Sequence, residues 1–459
     1  MKKLTYVLIL LLSVALLAFG SLKVFQLMEK AVETPSPSAT LPEATPIPSL
    51  LLLPGAGPPA VLEWETSFGD LAFRFSRTTW LAGLNDGSMF PMLDEVKTDD
   101  AGNAIFSGEE SIMFSSDRAP DRVFIRIYAG DGSMILSEEL DGNQLPIPDI
   151  QDEYRYEVDM AWESPGNEYR GTHSYVFNLS LDLPVEFLFD KLTVSQGDFV
   201  SIRVRNLNED QVPVLHQGIF QRFAFFMDGR DHVGVIPAGY FTKSGSYSIE
   251  YGILGGPLEK ETLTVVPYGF KTQYLFINEE IASATRNEAS SVEYAKYFVP
   301  VRHQSSEERY YSEPFVIPAY GNLSTEFGET RYVNNAPTSY RHSGLDIGNV
   351  IGYPIYAVNR GRVVLSMYLI STGWTIVIDH GQGLFSVYFH MNELIAEKDE
   401  MVERGQQIGY MGTTGFSTGS HLHFTMSYYD VNIEPGYLLV GEPITKENQL
   451  LYLSDPDTP

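Results

Sequence analysis

The stretch His421-Leu422-His423-Phe424-Thr425-Met426 governs the reading of this chain. In an extended strand successive side chains point to opposite faces. Spacing of two therefore places His421 and His423 on one face, and Leu422, Phe424 and Met426 on an opposite, apolar face. Two neighbouring segments carry similar features. In His342-Ser343-Gly344-Leu345-Asp346, a helix would bring positions four apart together, but Gly344 and Gly348 would each cost about 1 kcal/mol there. Read as a strand, Leu345 and Ile347 face one way, and His342, Gly344 and Asp346 face the other. In Leu384-Phe385-Ser386-Val387-Tyr388-Phe389-His390, the residues Phe385, Val387 and Phe389 form the buried side and His390 lies on the other. Five of the nine histidines fall between positions 342 and 423.

The chain has no cysteine. That excludes disulfides, thiolate metal sites, thiol nucleophiles and a lipid-modified cysteine, so any metal must be held by His, Asp or Glu. Zinc fits this donor set: it takes imidazole nitrogen at about 2.0–2.1 Å and carboxylate oxygen at about 2.0–2.2 Å. Catalytic sites use three protein ligands and leave one position for water. The helix-borne glutamate of an HExxH motif is absent. A proton from an attacking water must then pass to another group, and a neutral histidine with its ordinary pKa of about 6.5 suits that role.

The segment from about Phe315 to Leu439 resembles the lysostaphin/LytM-type zinc endopeptidases, peptidase family M23. The likeness runs through Glu326-Phe327-Gly328, His342 to Ile347, Pro354 to Ala357, Gly361 to Val363, Ile376 to Gly381, Tyr388 to His390, Val402 to Gly405, Ile408-Gly409 and Gly415 to Phe424. It implies that His342, Asp346 and His423 hold Zn2+, with His390 and His421 as the catalytic pair beside it. It also implies hydrolysis of peptide bonds in bacterial peptidoglycan cross-links or stem peptides. A non-catalytic or latent wall-binding protein of the same fold is the alternative, but none of the five positions departs from the family pattern. Tyr340 is a further residue able to approach substrate. His380, at a strand end, reads as structural. Gly409 to Gly419 reads as tight turns, not a phosphate loop, since no lysine follows. His173, His216, His232 and His303 are scattered and receive no role.

Outward from this region the chain changes character. Lys2 and Lys3 precede an uncharged apolar run from Leu4 to Leu22. A spanning helix needs about 20 such residues, and the lysines would stay in the cytoplasm. The run exceeds the usual core of a signal peptide, which favours an uncleaved anchor (1–30) over cleavage near Ala18-Phe19-Gly20. The expected location is therefore the cell membrane, single-pass with extracytoplasmic domains, or the cell wall if the segment is removed. Eight prolines between 31 and 60 make a semi-rigid spacer. Period-two alternation, as in Tyr154, Tyr156, Val158, Met160 and Trp162, or Val200, Ile202 and Val204, predicts two β-sandwich (Ig-like) modules, 61–183 and 184–268. A connector (269–310) carries one amphipathic helix over Asn287–Phe298, stopped by Pro300. The peptidase-like unit (311–445) and a tail (446–459) follow. The expected fold is all-β, its catalytic antiparallel sheet of duplicated-hybrid-motif type. A net charge of −28 disfavours nucleic acid as a partner.

Overall fold

Alternation governs the first half of the chain. Tyr154, Tyr156, Val158, Met160 and Trp162 are each 2% exposed or less. Their strand, Glu153–Glu163, pairs antiparallel with Tyr169–Leu181, which sets Tyr156 opposite Phe177 with the rings stacked 5.0 Å apart. The computed structural model describes residues 53, 56, 58, 63–66, 69–71, 75–96, 102–106, 111–336 and 339–454. The anchor expected at 1–30 and nearly all of the spacer at 31–60 lie outside the described residues. Among the described residues no helix is long and apolar enough to cross a membrane.

The described strands between 63 and 181 form two sheets. One runs Gly69–Leu71, Glu63–Thr66, Ile112–Ser115, Gln144–Leu145. The other contains Met89–Val96, Phe75–Gly83, Tyr169–Leu181, Glu153–Glu163, Arg122–Tyr128 and Met134–Glu139, with Gly102–Phe106 added in parallel. Ile112 and Phe114 of the first share one core with Trp80, Ile125 and Phe177 of the second. Between 186 and 266 two further four-stranded sheets face each other in the same way. Val200, Ile202, Val204 and Ile236 come from one, and Ile249, Leu263 and Val265 from the other.

This second pair of sheets is joined tightly to the C-terminal unit. Phe199 meets Tyr428 edge-on at 5.5 Å, the Glu434 N–H donates to Gly197 O at 2.8 Å, and the Ser195 and Tyr437 hydroxyls lie 2.9 Å apart. The connector departs from its expected single amphipathic helix. A short helix, α1 (Glu279–Thr285), precedes α2 (Glu288–Tyr297), which is capped by Asn287 and Ser290 in a reciprocal box. Only Ser290 of α2 is buried and Val292 is 61% exposed, so α2 has no broad apolar face. It is held by its end: Tyr294 stacks on Phe298 at 4.4 Å, Phe298 meets Phe389 at 5.3 Å, and the Glu293 carboxylate accepts the Ile370 N–H at 2.6 Å.

The C-terminal sheet runs in the order Asn322–Thr325, Leu345–Gly348, His421–Tyr428, Leu384–Met391, Gly373–Gly381, Gly361–Leu369, Met401–Val402, all neighbours antiparallel. A smaller sheet of Pro354–Tyr356, Gln407–Tyr410 and Glu393–Leu394 lies against it. Leu422, Phe424, Met426, Ile376 and Tyr388 fill the core beneath one face. Phe385, Val387 and Phe389 pack on the other face with Phe298. The strand Leu384–Met391 is thus buried on both sides, not on one as its alternation suggested. Residues 446–454 fold back on this unit: Leu453 is buried and its carbonyl accepts the Gly321 N–H at 2.9 Å.

His380 is structural in its contacts. Its ring bridges Arg360 O and the Ser386 hydroxyl, each at 2.8 Å. Burial pushes its pKa from 6.5 down to about 4. The unfolded chain takes up this proton as pH falls through about 6.5 while the folded chain resists until about 4, so folding loses stability across that window. The shift corresponds to roughly 3 kcal/mol. Urea unfolding at pH 7 and pH 4.5 should show His380→Asn losing less stability on acidification than the parent chain; equal losses would contradict this.

Candidate metal centre

Strand pairing assembles the site. Leu345–Gly348 lies antiparallel to His421–Tyr428 in a register that sets Asp346 opposite His423. Leu345 and Ile347 point into the core, so alternation turns the Asp346 carboxylate to the other face, beside His423. His342 does not share this strand, contrary to the strand reading of 342–346. Positions four apart on one strand are about 13 Å apart, too far to meet at one ion. The chain instead leaves strand Ser339–Arg341 and turns through His342, Ser343 and Gly344 before re-entering the sheet at Leu345. A Cβ on Gly344 would sit 1.9 Å from Phe424 O, so glycine is needed for this close approach.

Three donor atoms converge as a result. His342 Nε2 lies 2.9 Å from Asp346 Oδ1 and 2.9 Å from His423 Nδ1, and His423 Nδ1 lies 2.8 Å from Asp346 Oδ1. All three residues are buried. The far ring nitrogens have separate partners. His342 Nδ1 donates to Glu326 O at 2.9 Å, and His423 Nε2 reaches the Ser343 and Thr425 hydroxyls at 2.9 and 3.1 Å. The carbonyl partner leaves His342 Nε2 as a lone pair, and the hydroxyls can accept a proton from His423 Nε2, the tautomer in which His423 Nδ1 is a lone pair too. Burial pushes His342 down to about 4 and lowers His423 too, so both rings are neutral at neutral pH. Burial works to raise Asp346, yet His342, Arg331 and His421 together hold it well below the usual carboxylate range. Two imidazole lone pairs and a carboxylate crowded this closely repel one another unless a cation lies between them. The spacing is slightly under the roughly 3.3 Å separating ligand atoms around tetrahedral zinc with bonds of about 2.0–2.1 Å. The donor set fits that ion.

His390 and His421 complete the group. Phe389 lies opposite His423 in the register and stacks on its ring at 5.2 Å. Regular alternation would therefore aim His390 away from the site. His390 instead has φ 63°, a left-handed conformation that histidine tolerates better than most residues. Its N–H donates to Thr372 O at 2.9 Å and its Nδ1 to Thr414 O at 2.8 Å, fixing the kink. The ring ends 4.8 Å from that of His421. His421 Nδ1 donates to Gly419 O at 2.8 Å, and its Nε2 lies 3.7 Å from Asp346 Oδ1. Each ring thus spends its Nδ1 proton on a carbonyl and keeps Nε2 as a proton acceptor. Burial, then His421 and His423, lowers the His390 pKa well below its ordinary value.

Other side chains here carry no motif. Arg331 donates from Nη2 to Asp346 Oδ2 and from Nε to Gln273 Oε1 at 2.6 Å. Gln273 belongs to strand Thr272–Leu275, which pairs in parallel with Thr330–Val333 and brings the upstream connector to the site. The cleft, about 490 Å³, opens over these groups and is lined by Tyr340, Arg286, Phe416 and the five expected residues.

The sequence pattern of Peptidase family M23 matches residues 340–435. Peptidoglycan DD-endopeptidase ShyB of Vibrio cholerae is 32% identical over 123 residues, 27% of this chain and 29% of that protein. Lipoprotein NlpD of Yersinia enterocolitica is 35% identical over 91 residues, 20% of this chain and 93% of that sequence. The catalytic domain of the antimicrobial peptidase lysostaphin from Staphylococcus simulans superposes with a TM-score of 0.21 at 25% identity, covering 26% of this chain and 85% of that one. The chain spans under half the length of the first curated relatives it matches.

Gly344→Ala forces a Cβ into a backbone carbonyl, and overpacking of this kind costs about 1–3 kcal/mol or more. Urea unfolding should register a loss of that size; an unchanged midpoint would mean the turn into Leu345 leaves room for a Cβ beside Phe424 O.

Proposed function

We propose that this chain, which belongs to peptidase family M23, is a zinc-dependent endopeptidase acting on peptide bonds of bacterial peptidoglycan. The convergence of His342 Nε2, Asp346 Oδ1 and His423 Nδ1 within 2.8–2.9 Å of one another carries this reading. These three would hold the ion. When bound, it supplies Lewis acidity and makes water easier to deprotonate. The chain's own groups do the rest. His390 and His421 present their Nε2 atoms to the cleft; one, neutral, takes the proton of the attacking water, and the other, when it carries a proton on Nε2, donates a hydrogen bond to the developing oxyanion. The carbonyls of Thr414 and Gly419 hold these rings in the needed tautomer. Arg331 occupies the second oxygen of Asp346 and so keeps Oδ1 turned to the ligands.

The substrate class is supported by relatives named as peptidoglycan DD-endopeptidases. A relative named as a murein hydrolase activator marks the alternative, a non-catalytic or latent wall protein. Retention of both proton-accepting histidines beside a complete donor set favours hydrolysis. An extracytoplasmic place, anchored through residues 1–30 or released to the wall, belongs to the same proposal. So does the division into an anchor, a spacer, two upstream β modules, a connector and the peptidase unit.

Purified full-length chain should contain about one zinc and release muropeptide amines from insoluble wall. His423→Ala should lose both metal and activity. His390→Ala should keep the metal while the rate falls about 10²–10⁴-fold. Metal retained by His423→Ala, or full activity in His390→Ala, would overturn the assignment. Arg331→Gln should weaken zinc about 10–100-fold in chelator competition; unchanged affinity would remove Arg331 from the centre.

A further inference from the structure

The cleft carries a cation that the metal chemistry does not use. Three arginines line it, Arg286, Arg331 and Arg341, against one carboxylate, Asp346. This is an unusual local balance in a chain of net charge −28. Arg331 is committed to Asp346 and Gln273. Arg341 donates to Gly328 O at 2.8 Å. The Arg286 guanidinium makes no ion pair or side-chain hydrogen bond among the described residues. It lies between two aromatic rings from separate elements, with its central carbon 4.3 Å from the ring centre of Tyr340 and 3.9 Å from that of Phe416.

The backbone under Arg286 is fixed. It is the residue closing α1, and its N–H donates to Ala282 O. Asn287, which follows, donates from Nδ2 to Ser283 O and Ala284 O at 3.0 and 3.1 Å while capping α2. The corner between the helices is thereby locked, and Glu293 ties α2 to Ile370. Phe416 is pinned by its N–H to Ser371 O at 2.9 Å. A guanidinium stacked between two rings keeps its edge free, and that edge presents parallel N–H donors with the geometry of a carboxylate.

We infer that Arg286 is a specificity residue that binds a free carboxylate on the peptide substrate in the cleft. The inference rests on the peptidase reading and adds the class of peptide preferred, one bearing an ionised carboxylate near the scissile bond. It assigns the recognition to the connector, outside the matched stretch 340–435. Lysine at this position would keep the charge and lose the paired donors.

The test separates binding from turnover. Full-length chain carrying His390→Ala is titrated by calorimetry with two synthetic cross-linked stem peptides, identical except that one has a free carboxylate where the other has a carboxamide. The carboxylate peptide should bind at least tenfold tighter. Adding Arg286→Gln should reduce that ratio to below about twofold and leave the carboxamide peptide's affinity unchanged, and Arg286→Lys should restore part of the ratio. A ratio indifferent to position 286, or no binding of either peptide, overturns the inference. The chain with His390 intact is then assayed for cleavage of both peptides. A carboxylate preference without cleavage refutes hydrolysis and spares Arg286; cleavage without the preference does the reverse.

Discussion

The register between Leu345–Gly348 and His421–Tyr428 is the constraint on which the site depends. It sets Asp346 directly opposite His423, and the apolar residues on either side of each hold that alignment. Because side chains alternate with period two, a slip of one residue would send Asp346 into the core and Ile347 into the cleft. Burial of Leu345, Ile347, Leu422 and Phe424 therefore does more than stabilise the sheet. It specifies which polar groups meet.

The donors introduced by this register do not lie comfortably without an ion. Each is buried, and each ring is oriented from behind by hydrogen-bond partners that allow a lone pair to face inward. Burying a carboxylate and two lone pairs together is costly unless positive charge compensates. Arg331 supplies some of that charge from the far side of Asp346 but cannot reach between the three donors. The local strain is shared with His390, whose left-handed backbone is retained by bonds to Thr372 and Thr414. Conformations of this kind persist where the surroundings over-determine them, commonly at functional sites.

Much of the fold was legible in the residues. The alternation of Tyr154 to Trp162, and of Val200 to Val204, correctly marked the faces turned to the core, and Leu422, Phe424 and Met426 do share one core, although the opposite face of their strand is buried as well. Asn287 was readable as the start of a helix. Of the candidate site, the five histidine and aspartate positions were singled out by residue type and by resemblance, and the structure brings all five together. Periodicity failed at two of them for identifiable reasons. His342 is off the strand, because the turn at Gly344 depends on the close approach of Phe424, a contact 80 residues away in sequence. His390 lies where alternation would face it away, and its positive φ is imposed by loops around Thr372 and Thr414. Arg331, Gln273 and Arg286 were invisible, since nothing in Thr-Arg-Tyr-Val or at the end of α1 signals a partner until the parallel pairing of Thr272–Leu275 with Thr330–Val333 brings the connector to the cleft.

The proposed chemistry depends on a single ion. The most direct measurement is an anomalous difference map collected at the zinc edge from crystals of the full-length chain. One strong peak is predicted, within bonding distance of His342 Nε2, Asp346 Oδ1 and His423 Nδ1, with His390 and His421 on its open side. A map with no peak among those three atoms after zinc has been supplied, or a peak held by other residues, would contradict it.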